Sequence, residues 1–418
     1  MRCQRDPVAC SVQKDHAYLR FQRSNSRVNR WVRAVQARCG RRKTALVEQR
    51  FEALQLKQCR FIHCRVKLQC LSKQSNFFEI KIDPTIRSPT REVDMKAIVR
   101  SRFGGPEVLK VVEVPEPLLK PGCVLIRVRG FGLNRAELYM RRGLWGTVTE
   151  IGGIECVGTV VSDTTGVHRE GQTVMALMGG MGRTINGSYA EYVAVPTSNV
   201  VAVETTLDWD ILAALPEAYA VAWTCIRRNL ELKAGQRLVV RAGTSSLGQA
   251  AIDIGCELGA DVIATTRRSD NETLLRSLGA THVVTTTGDL LAAHDWPGGK
   301  ADAVLDLVGN STVLDSLRAT RRGGRVCLAG FLGGLAPLTG FNPLGQMPSG
   351  VHMSFFGSFM FGSPEFPLSE VPMQQIVDLA SMNQYRGRPA RVFGLSDVPM
   401  AHELMERNEA KGKFVVVI

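Results

Sequence analysis

The sequence predicts an α/β protein in which a β-rich domain is followed by a doubly wound parallel sheet, both preceded by a basic N-terminal extension. Three observations support this fold class. Short apolar runs separated by glycine and proline follow Met95, strand-like and helix-like segments alternate after Pro216, and the excess of positive charge ends at Met95. With 418 residues, 44% of them hydrophobic, the chain is long and apolar enough for more than one domain.

The positive charge belongs to residues 1–94. They contain 21 Lys or Arg and 8 Asp or Glu, a net charge of +13, whereas residues 95–418 contain 31 of each kind. A charge of +13 for the whole chain would suggest an anionic polymer as partner. Because residues 95–418 are neutral overall, we expect no nucleic acid to bind there.

The basic extension over residues 1–94 admits several interpretations. Residues 31–50 could form a basic helix, as in a mitochondrial presequence. An arm that binds RNA or a membrane surface is an alternative, and so is a disordered or spuriously translated segment. Residues 83–90 resemble a linker. A zinc site is a further alternative, with four irregularly spaced candidate ligands: Cys59, His63, Cys64 and Cys70.

The expected compartment is the cytoplasm, or the mitochondrion if the extension acts as a presequence. The extension has no apolar core of the kind that a secretory signal needs. Eleven cysteines without regular spacing also argue against a disulfide scaffold. Residues 326–364 lack charged side chains, but eight glycines and four prolines interrupt them. No transmembrane helix is therefore expected.

Three segments are expected after the extension. The β-rich domain is predicted over residues 95–218 and the parallel-sheet domain over residues 219–358, and residues 359–418 are expected to return to the first domain. Alternating strands and helices over residues 219–358 are typical of parallel sheets that bind nucleotides. The predicted parallel strands begin at residues 237, 261, 282, 303 and 325.

A dinucleotide-binding loop is predicted where the first parallel strand ends. The run 238-LVVRAGTSSLGQAA-251 passes from a buried strand through Gly243 and Gly248 into a helix. Small residues let the backbone approach a pyrophosphate, and the helix N-terminus offers free N–H groups. Hydroxyls replace the usual glycines of this motif and can still donate to phosphate. The expected cofactor contacts are Gly243, Thr244, Ser245, Ser246, Leu247 and Gly248.

The end of the second parallel strand, 265-TTRR-268, favours NADP(H) over NAD(H). An NAD enzyme places an acidic residue there to bind the ribose 2′-OH, and this strand end has none. Thr266, Arg267 and Arg268 suit a 2′-phosphate instead, because a guanidinium supplies several donors. The alternative is that both arginines are merely solvated.

Several motifs spread over residues 95–418 carry a resemblance to a known family. They are 132-GLNRAELYMRRG, 152-GGIECVGTVV, 188-SYAEYVAVP, 278-LGATHVV and 411-KGKFVVVI. Together they resemble the zinc-independent, quinone oxidoreductase-like (enoyl reductase-type) branch of the medium-chain dehydrogenase/reductase superfamily. The resemblance implies a GroES-like catalytic domain, a Rossmann domain, a cleft between them and hydride transfer from nicotinamide C4.

The resemblance also implies chemistry without a metal ion. The alcohol dehydrogenase branch binds its catalytic zinc through Cys, His and Cys or Asp. In this sequence Asn134 stands at the first cysteine position, and Ile154, just before Glu155, replaces the histidine. No metal site is therefore expected in residues 95–418. Reduction of a conjugated acceptor does not need a Lewis acid when hydrogen-bond donors face the acceptor oxygen.

The same resemblance supplies the candidate catalytic residues. Asn134 and Tyr139 fall where quinone reductases place polar side chains facing the nicotinamide. Taken alone, however, Asn134 followed by Glu137 also resembles a helix-capping box, and Tyr139 would then be a core residue. The substrate pocket is expected to contain three further residues: Trp145, Arg183 and Val221.

Further contacts are expected around the cofactor. Gly412 and Lys413 match the terminal Gly-Lys of the family and are expected to approach the cofactor from the catalytic domain. Glu217 is either a cleft residue or a helix-start carboxylate. The apolar run 351–359 resembles the edge strand through which relatives dimerise, so a homodimer is expected. The carboxyl ends of two parallel strands add four expected contacts: Asp306, Gly309, Ala329 and Gly330.

The leading functional hypothesis is an NADPH-dependent, metal-free oxidoreductase that transfers hydride to a small molecule, either a quinone or an α,β-unsaturated carbonyl compound. A trans-acting enoyl reductase of a biosynthetic pathway needs the same geometry and is the alternative among enzymes. Two alternatives of other classes are a catalytically silent NADPH-binding protein and a nucleic-acid binder that acts through its basic extension.

Overall fold

The computed structural model describes residues 67–70, 78–81 and 94–418. The chain divides into two compact units, residues 1–91 and 92–418. In the first unit, strand β1 (Lys67–Cys70) pairs antiparallel with strand β2 (Phe78–Lys81). The basic helix expected over residues 31–50, the linker over residues 83–90 and most of the zinc candidates lie outside the described residues.

The second unit begins with antiparallel strands. Strands β3 and β4 pair with each other, and the remaining strands of this part belong to a larger sheet. The bounds are β3 (Asp94–Arg100), β4 (Leu109–Pro115), β5 (Cys123–Gly132), β6 (Glu155–Asp163), β7 (Thr173–Leu177), β8 (Tyr192–Pro196) and β9 (Val200–Ala202).

A six-stranded parallel sheet follows, in the strand order β12-β11-β10-β13-β14-β15. Its strands are β10 (Arg237–Arg241), β11 (Asp261–Thr266), β12 (His282–Thr285), β13 (Ala301–Asp306), β14 (Thr320–Leu328) and β15 (His352–Phe355). The order reverses between β10 and β13. This is the doubly wound topology that the sequence predicts, and ligands bind at such a switch point.

The C-terminal residues return to the β-rich part. Strand β16 (Pro389–Gly394) pairs parallel with β17 (Lys413–Val417), and β17 pairs antiparallel with β5. Strands β5 to β9 form one seven-stranded sheet with β16 and β17. This sheet therefore combines strands from the two ends of the second unit. The helices are α1 (Arg135–Arg141), α2 (Trp209–Ala213), α3 (Pro216–Thr224), α4 (Ser246–Glu257), α5 (Glu272–Ser277), α6 (Val313–Ala319), α7 (Pro343–Gln346), α8 (Met373–Ser381) and α9 (Val398–Glu406).

The core alternates across the parallel sheet as strand geometry requires. Leu238, Val239 and Val240 of β10 are all fully buried. Leu238 and Val240 belong to the largest apolar cluster, whereas Val239 packs into a separate cluster on the opposite face of the sheet. A strand buried on both faces needs such a continuous apolar run. In the described part of the chain, the helices are too short or too polar to cross a bilayer.

Candidate active site

The nucleotide loop lies between β10 and α4, where the strand order reverses. A Cβ atom on Gly248 would lie 2.5 Å from the Ala242 carbonyl oxygen, and one on Gly243 would lie 3.0 Å from the Ala264 Cβ. The two glycines thus let the helix start pack directly on the strand end. Ser245 caps the helix, since its hydroxyl accepts the Gly248 N–H at 3.1 Å.

The start of α4 fits an anionic group. The hydroxyl of Ser245 is used within the loop, which leaves those of Thr244 and Ser246, both half-buried, to meet a phosphate. The unpaired N–H groups and the dipole of a 12-residue helix favour negative charge there. The Gln249 side chain donates to the carbonyl oxygens of Thr244 and Lys411, and so ties the loop to the C-terminal segment.

A cluster of charged side chains follows β11. Arg268 pairs with Asp270 at 2.7 Å, and Lys411 lies 3.5 Å from the same carboxylate. The hydrogen bonds from Arg268 lower the pKa of Asp270. Arg267 is exposed, and the Thr266 hydroxyl accepts the Arg268 N–H within the turn. Sequence reasoning missed Asp270 and Lys411, although an acidic residue only two positions after Arg268 was an available signal.

The ends of β13 and β14 pack backbone against backbone. Gly309 has a φ of +99°, and a Cβ there would lie 2.9 Å from the Gly330 carbonyl oxygen. The Ala329 N–H donates to the Asp306 carbonyl oxygen. The Asp306 carboxylate is fully buried and accepts from the Gly309 N–H and the Thr312 hydroxyl. This side chain therefore holds its own loop together, and the predicted cofactor contacts at these positions concern backbone groups.

Asn134 directly precedes helix α1, and its side chain makes no capping hydrogen bond to the helix. The Glu137 carboxylate accepts the Asn134 backbone N–H at 2.7 Å, which is one half of a capping box. The Asn134 amide instead donates to Glu155 Oε1 at 2.8 Å and accepts from Lys413 Nζ at 2.7 Å. The capping-box interpretation is thus met on its Glu137 side, and the contact of Asn134 with the nicotinamide stays a prediction.

Lys413 and Glu155 form a buried ion pair at the first residues of strands β17 and β6. Their side chains are 3% and 0% exposed, and Lys413 Nζ lies 2.5 Å from Glu155 Oε1. Burial alone would lower the pKa of Lys413, but the nearby carboxylates of Glu155 and Glu217 raise it above its ordinary value. The ammonium is therefore retained. Glu155 Oε2 also accepts the Glu217 backbone N–H at 2.8 Å.

Glu217 lies in the first turn of α3 and borders the same cluster. Burial raises the pKa of its carboxyl to about 7, although the Lys413 ammonium acts in the opposite direction. Glu217 is therefore a helix-start carboxylate that neighbours the Lys413–Glu155 pair, and its place in the cleft stays a prediction.

A second buried polar cluster lies behind α1. The Glu137 carboxylate accepts from the Tyr189 hydroxyl at 2.7 Å, His402 Nε2 lies 3.0 Å from the same hydroxyl, and Arg141 lies 3.3 Å from His402 Nδ1. Arg141 also pairs with Glu406. Burial raises the pKa of Glu137 to about 7, and burial with the adjacent Arg141 lowers that of His402 to about 3.

These contacts assign one tautomer to His402. Arginine can only donate, so His402 Nδ1 accepts from Arg141 and the single proton of the neutral ring is on Nε2. Nε2–H then donates to the Tyr189 oxygen, and the Tyr189 hydroxyl donates to Glu137. Every member of the chain is thus satisfied.

Aromatic side chains make contacts between the β-rich part and the segments that follow β14 and β15. The Tyr139 hydroxyl donates to the Phe331 carbonyl oxygen at 2.6 Å, and the Tyr139 ring stacks on Trp145 with centroids 6.2 Å apart. Arg183 lies over the ring of Phe359, 5.7 Å from its centroid. Tyr139, Trp145 and Arg183 are each half-buried, which suits residues that border a pocket.

Val221 and Gly412, two further predicted site residues, are packed against other parts of the protein. Val221 is 2% exposed and packs in the main apolar cluster, where it contributes to the core. Gly412 has a φ of +139°, and a Cβ there would lie 3.0 Å from the amide nitrogen of Gln249. Of the predicted site residues, the structure brings Asn134 and Lys413 into contact. The Lys413 ammonium donates to the Asn134 amide oxygen and to Glu155.

The described residues contain no group of three or more His, Cys, Asp or Glu side chains that could hold a metal ion. Asn134 and Ile154, at the positions that the resemblance assigns to zinc ligands, are 8% and 2% exposed. The five cysteines after residue 94 are free thiols, and burial raises the pKa of Cys156 and Cys225.

Comparison with known proteins gives two matching family models. A model described as an alcohol dehydrogenase GroES-like domain matches residues 120–205, and one described as a zinc-binding dehydrogenase matches residues 278–416. A quinone oxidoreductase of Homo sapiens is 25% identical over 336 residues, which cover 78% of this chain and 98% of the relative.

Two further comparisons extend the similarity. A polyketide synthase of Streptomyces halstedii is 27% identical over 302 residues, which cover 72% of this chain and 5% of that longer protein. A mycobacterial protein solved in complex with NADPH shares the fold, with 24% identity and a TM-score of 0.68 over 78% of this chain and 100% of the other.

The fold, the nucleotide loop and these similarities define an oxidoreductase of the medium-chain dehydrogenase/reductase superfamily. Within that superfamily, the similarities support the quinone oxidoreductase-like branch. The family and the fold class expected from the sequence are thereby confirmed: a GroES-like part and a Rossmann-type parallel sheet.

Proposed function

We propose that the protein reduces quinones or α,β-unsaturated carbonyl compounds with NADPH and without a metal ion. The observation that carries this proposal is the buried Lys413 ammonium between Asn134 and Glu155. Asn134 stands where the resemblance places a zinc-ligating cysteine. Because an ammonium can only donate hydrogen bonds, this set of side chains does not suit a cation.

NADPH fits the residues around the nucleotide loop. The start of α4 would hold the pyrophosphate, since Gly243 and Gly248 let this helix begin directly against the end of β10 with its N–H groups free. Arg267, Arg268 and Lys411 would face the 2′-phosphate. When bound, the cofactor supplies a hydride from its nicotinamide ring.

The protein's own contribution is to bind and polarise the acceptor. Negative charge develops on the acceptor oxygen during reduction, and the Asn134 amide and the Tyr139 hydroxyl are the proposed donors to that oxygen. The Tyr139 hydroxyl has one proton, so it must turn away from the Phe331 carbonyl oxygen to donate to the acceptor. A single preorganised donor of this kind accelerates a reaction about 10²–10³-fold. Tyr139, or water, then supplies the proton.

We also propose that the protein forms a homodimer through β15 and acts in the cytoplasm. Strand β15 is the last strand of the parallel sheet, and Met353 and Phe355 on it are 44% and 54% exposed. Pairing with the same strand of a second copy would cover this apolar edge. The free thiols of the described residues fit a reducing compartment.

An acceptor screen with the full chain tests the proposed function. NADPH absorbance is followed with 1,2- and 1,4-quinones, simple enones and an enoyl thioester, and the metal content is measured on the same sample. We expect turnover with quinones or enones and no stoichiometric zinc. Failure to bind NADPH, or zinc that the activity requires, would refute the proposal.

The screen also separates the alternatives. Turnover with the thioester alone would favour an enoyl reductase, which the similarity to part of a polyketide synthase supports. NADPH binding without turnover by any acceptor would indicate a catalytically silent binder.

A further inference from the structure

The Asn134 amide has its orientation fixed by two neighbours of opposite chemistry. Lys413 can only donate, so the amide oxygen faces the ammonium at 2.7 Å. Glu155 Oε1, which pairs with the Lys413 ammonium, accepts from the amide nitrogen at 2.8 Å. A flipped amide would place its NH₂ group against the ammonium and its oxygen against the carboxylate.

The fixed Asn134 amide has a second N–H group that does not donate to Glu155. An NH₂ group has two N–H bonds, and Glu155 takes one of them. Among the described residues, the second has no acceptor. Helix α1, which begins directly after Asn134, carries Tyr139, and the Tyr139 hydroxyl contacts Phe331 just beyond strand β14. The amide thus lies at the start of the helix that faces the carboxyl edge of the parallel sheet.

We infer that Lys413 is a positioning residue: with Glu155, its buried ammonium locks the Asn134 amide so that the remaining N–H serves the acceptor oxygen. This inference rests on the proposed function, in which Asn134 contacts the acceptor. Lys413 itself acts only through Asn134.

The backbone around the ion pair is built to hold it. A Cβ atom on Gly132 would lie 2.2 Å from Lys413 Cε and 2.5 Å from Glu155 Oε1, so a side chain there would displace the ion pair from its present position. Gln249 binds the carbonyl oxygen of Lys411 at 3.0 Å, two residues before Lys413, and that of Thr244 in the nucleotide loop at 3.1 Å. The segment that leads into Lys413 is therefore tied to the nucleotide loop.

A double-mutant cycle on turnover tests the inference in the full chain. Lys413→Met and Asn134→Ala are made singly and together, and kcat is measured with NADPH and a quinone acceptor. If Lys413 acts through Asn134, each single variant lowers kcat about 10²-fold, and the double variant is no slower than Asn134→Ala alone. Multiplicative losses would overturn the inference. The exposed Lys110→Met is the matched control and retains its kcat.

A charge-neutral variant keeps the test valid if Lys413→Met fails to fold. Removing the ammonium alone leaves the Glu155 carboxylate buried without a counter-charge. Lys413→Met combined with Glu155→Gln removes both charges of the pair. We expect this pair to unfold cooperatively and to bind NADPH, but to turn over about 10²-fold more slowly. Wild-type turnover by this pair would show that the ion pair serves stability alone. A wild-type protein that reduces no acceptor would instead refute the proposed function, and the inference with it.

Discussion

The Tyr139 hydroxyl donates a 2.6 Å hydrogen bond to the Phe331 carbonyl oxygen. This bond joins helix α1 of the β-rich part to the segment that follows β14 in the parallel sheet. Trp145 stacks on the same ring at an interplanar angle of 7°. The tyrosine proposed to donate to the acceptor is therefore held by two contacts, and its hydroxyl must exchange the Phe331 carbonyl oxygen for the acceptor oxygen when it donates.

Replacing Tyr139 by phenylalanine keeps the stacked ring and removes the donor. We expect Tyr139→Phe to lower kcat about 10²-fold, because a general acid typically contributes at least that much, and to leave NADPH binding little changed. Steady-state kinetics and NADPH fluorescence provide the two measurements. Tyr192→Phe, on strand β8, is the control. An unchanged kcat for Tyr139→Phe would remove this residue from the site.

The charges after β11 predict opposite effects of two substitutions on NADPH affinity. Arg267→Ala removes a charge-assisted partner of the 2′-phosphate and should weaken NADPH binding at least about tenfold, with little effect on NADH. Asp270→Asn releases Arg268 and Lys411 from their shared carboxylate and should strengthen NADPH binding a few-fold at low salt. Titrations with both cofactors decide the question, with Arg169→Ala as control. If Arg267→Ala weakened the binding of NADPH and NADH equally, the preference for NADPH would be contradicted.

The nucleotide loop requires glycine at position 248. The added methyl group of Gly248→Ala would meet the Ala242 carbonyl oxygen at 2.5 Å, so the strand end or the helix start must move. We expect a loss of about 1–3 kcal/mol in the free energy of unfolding, and weaker NADPH binding. Gly288→Ala has open space around its Cβ and serves as the matched control. Denaturant unfolding that gives both variants the same stability would argue against this packing.

The buried carboxyl of Glu137 predicts a stability that falls as pH rises. Burial raises its pKa to about 7 in the folded protein, so the folded state binds the proton more tightly than the unfolded chain does. Its contribution is complete below about pH 4.5 and is lost as pH rises through about 7, by up to about 3 kcal/mol. His402, with its pKa lowered to about 3, stays neutral over this range.

Urea unfolding of the wild type and of Glu137→Gln at about pH 5 and about pH 8 measures this dependence. The wild type should lose more stability than the variant over that interval. Glu217→Gln serves as a comparison, because the raised pKa of Glu217 acts in the same direction. Parallel losses in the wild type and in Glu137→Gln would assign the pH dependence to other groups.

The exposed edge of β15 predicts the oligomeric state. Met353→Lys places a charge on this edge and should convert the proposed dimer to a monomer, as sedimentation velocity would show. Leu118→Lys, at a position 86% exposed in the β-rich part, should leave the dimer intact. A wild-type monomer would contradict the proposed interface directly.

The strands and the nucleotide loop could be predicted because their signals are local. The continuous apolar run Leu238–Val240 needs a sheet buried on both faces, and Gly243 with Gly248 needs a tight turn into a helix. Such patterns depend on neighbours in the sequence, and the observed parallel sheet follows them.

The pairing of the site residues could not be predicted in the same way. Asn134 and Lys413 are 279 residues apart, and their contact depends on β17 returning beside β5. The motifs located both residues but assigned Lys413 to the cofactor, because nothing in the sequence around it shows that its ammonium meets Glu155. The hydrogen bond from Tyr139 to a backbone carbonyl leaves no signal in the sequence at all.

The most direct test of metal-free hydride transfer from NADPH is a single-turnover isotope experiment on the full chain after metal removal. NADPH deuterated at either face of nicotinamide C4 is mixed with the fastest acceptor from the screen. We expect deuterium on one face, and not on the other, to slow NADPH oxidation without added zinc. NADPH oxidation that is insensitive to both labels, or that appears only when zinc is restored, would contradict the proposed function.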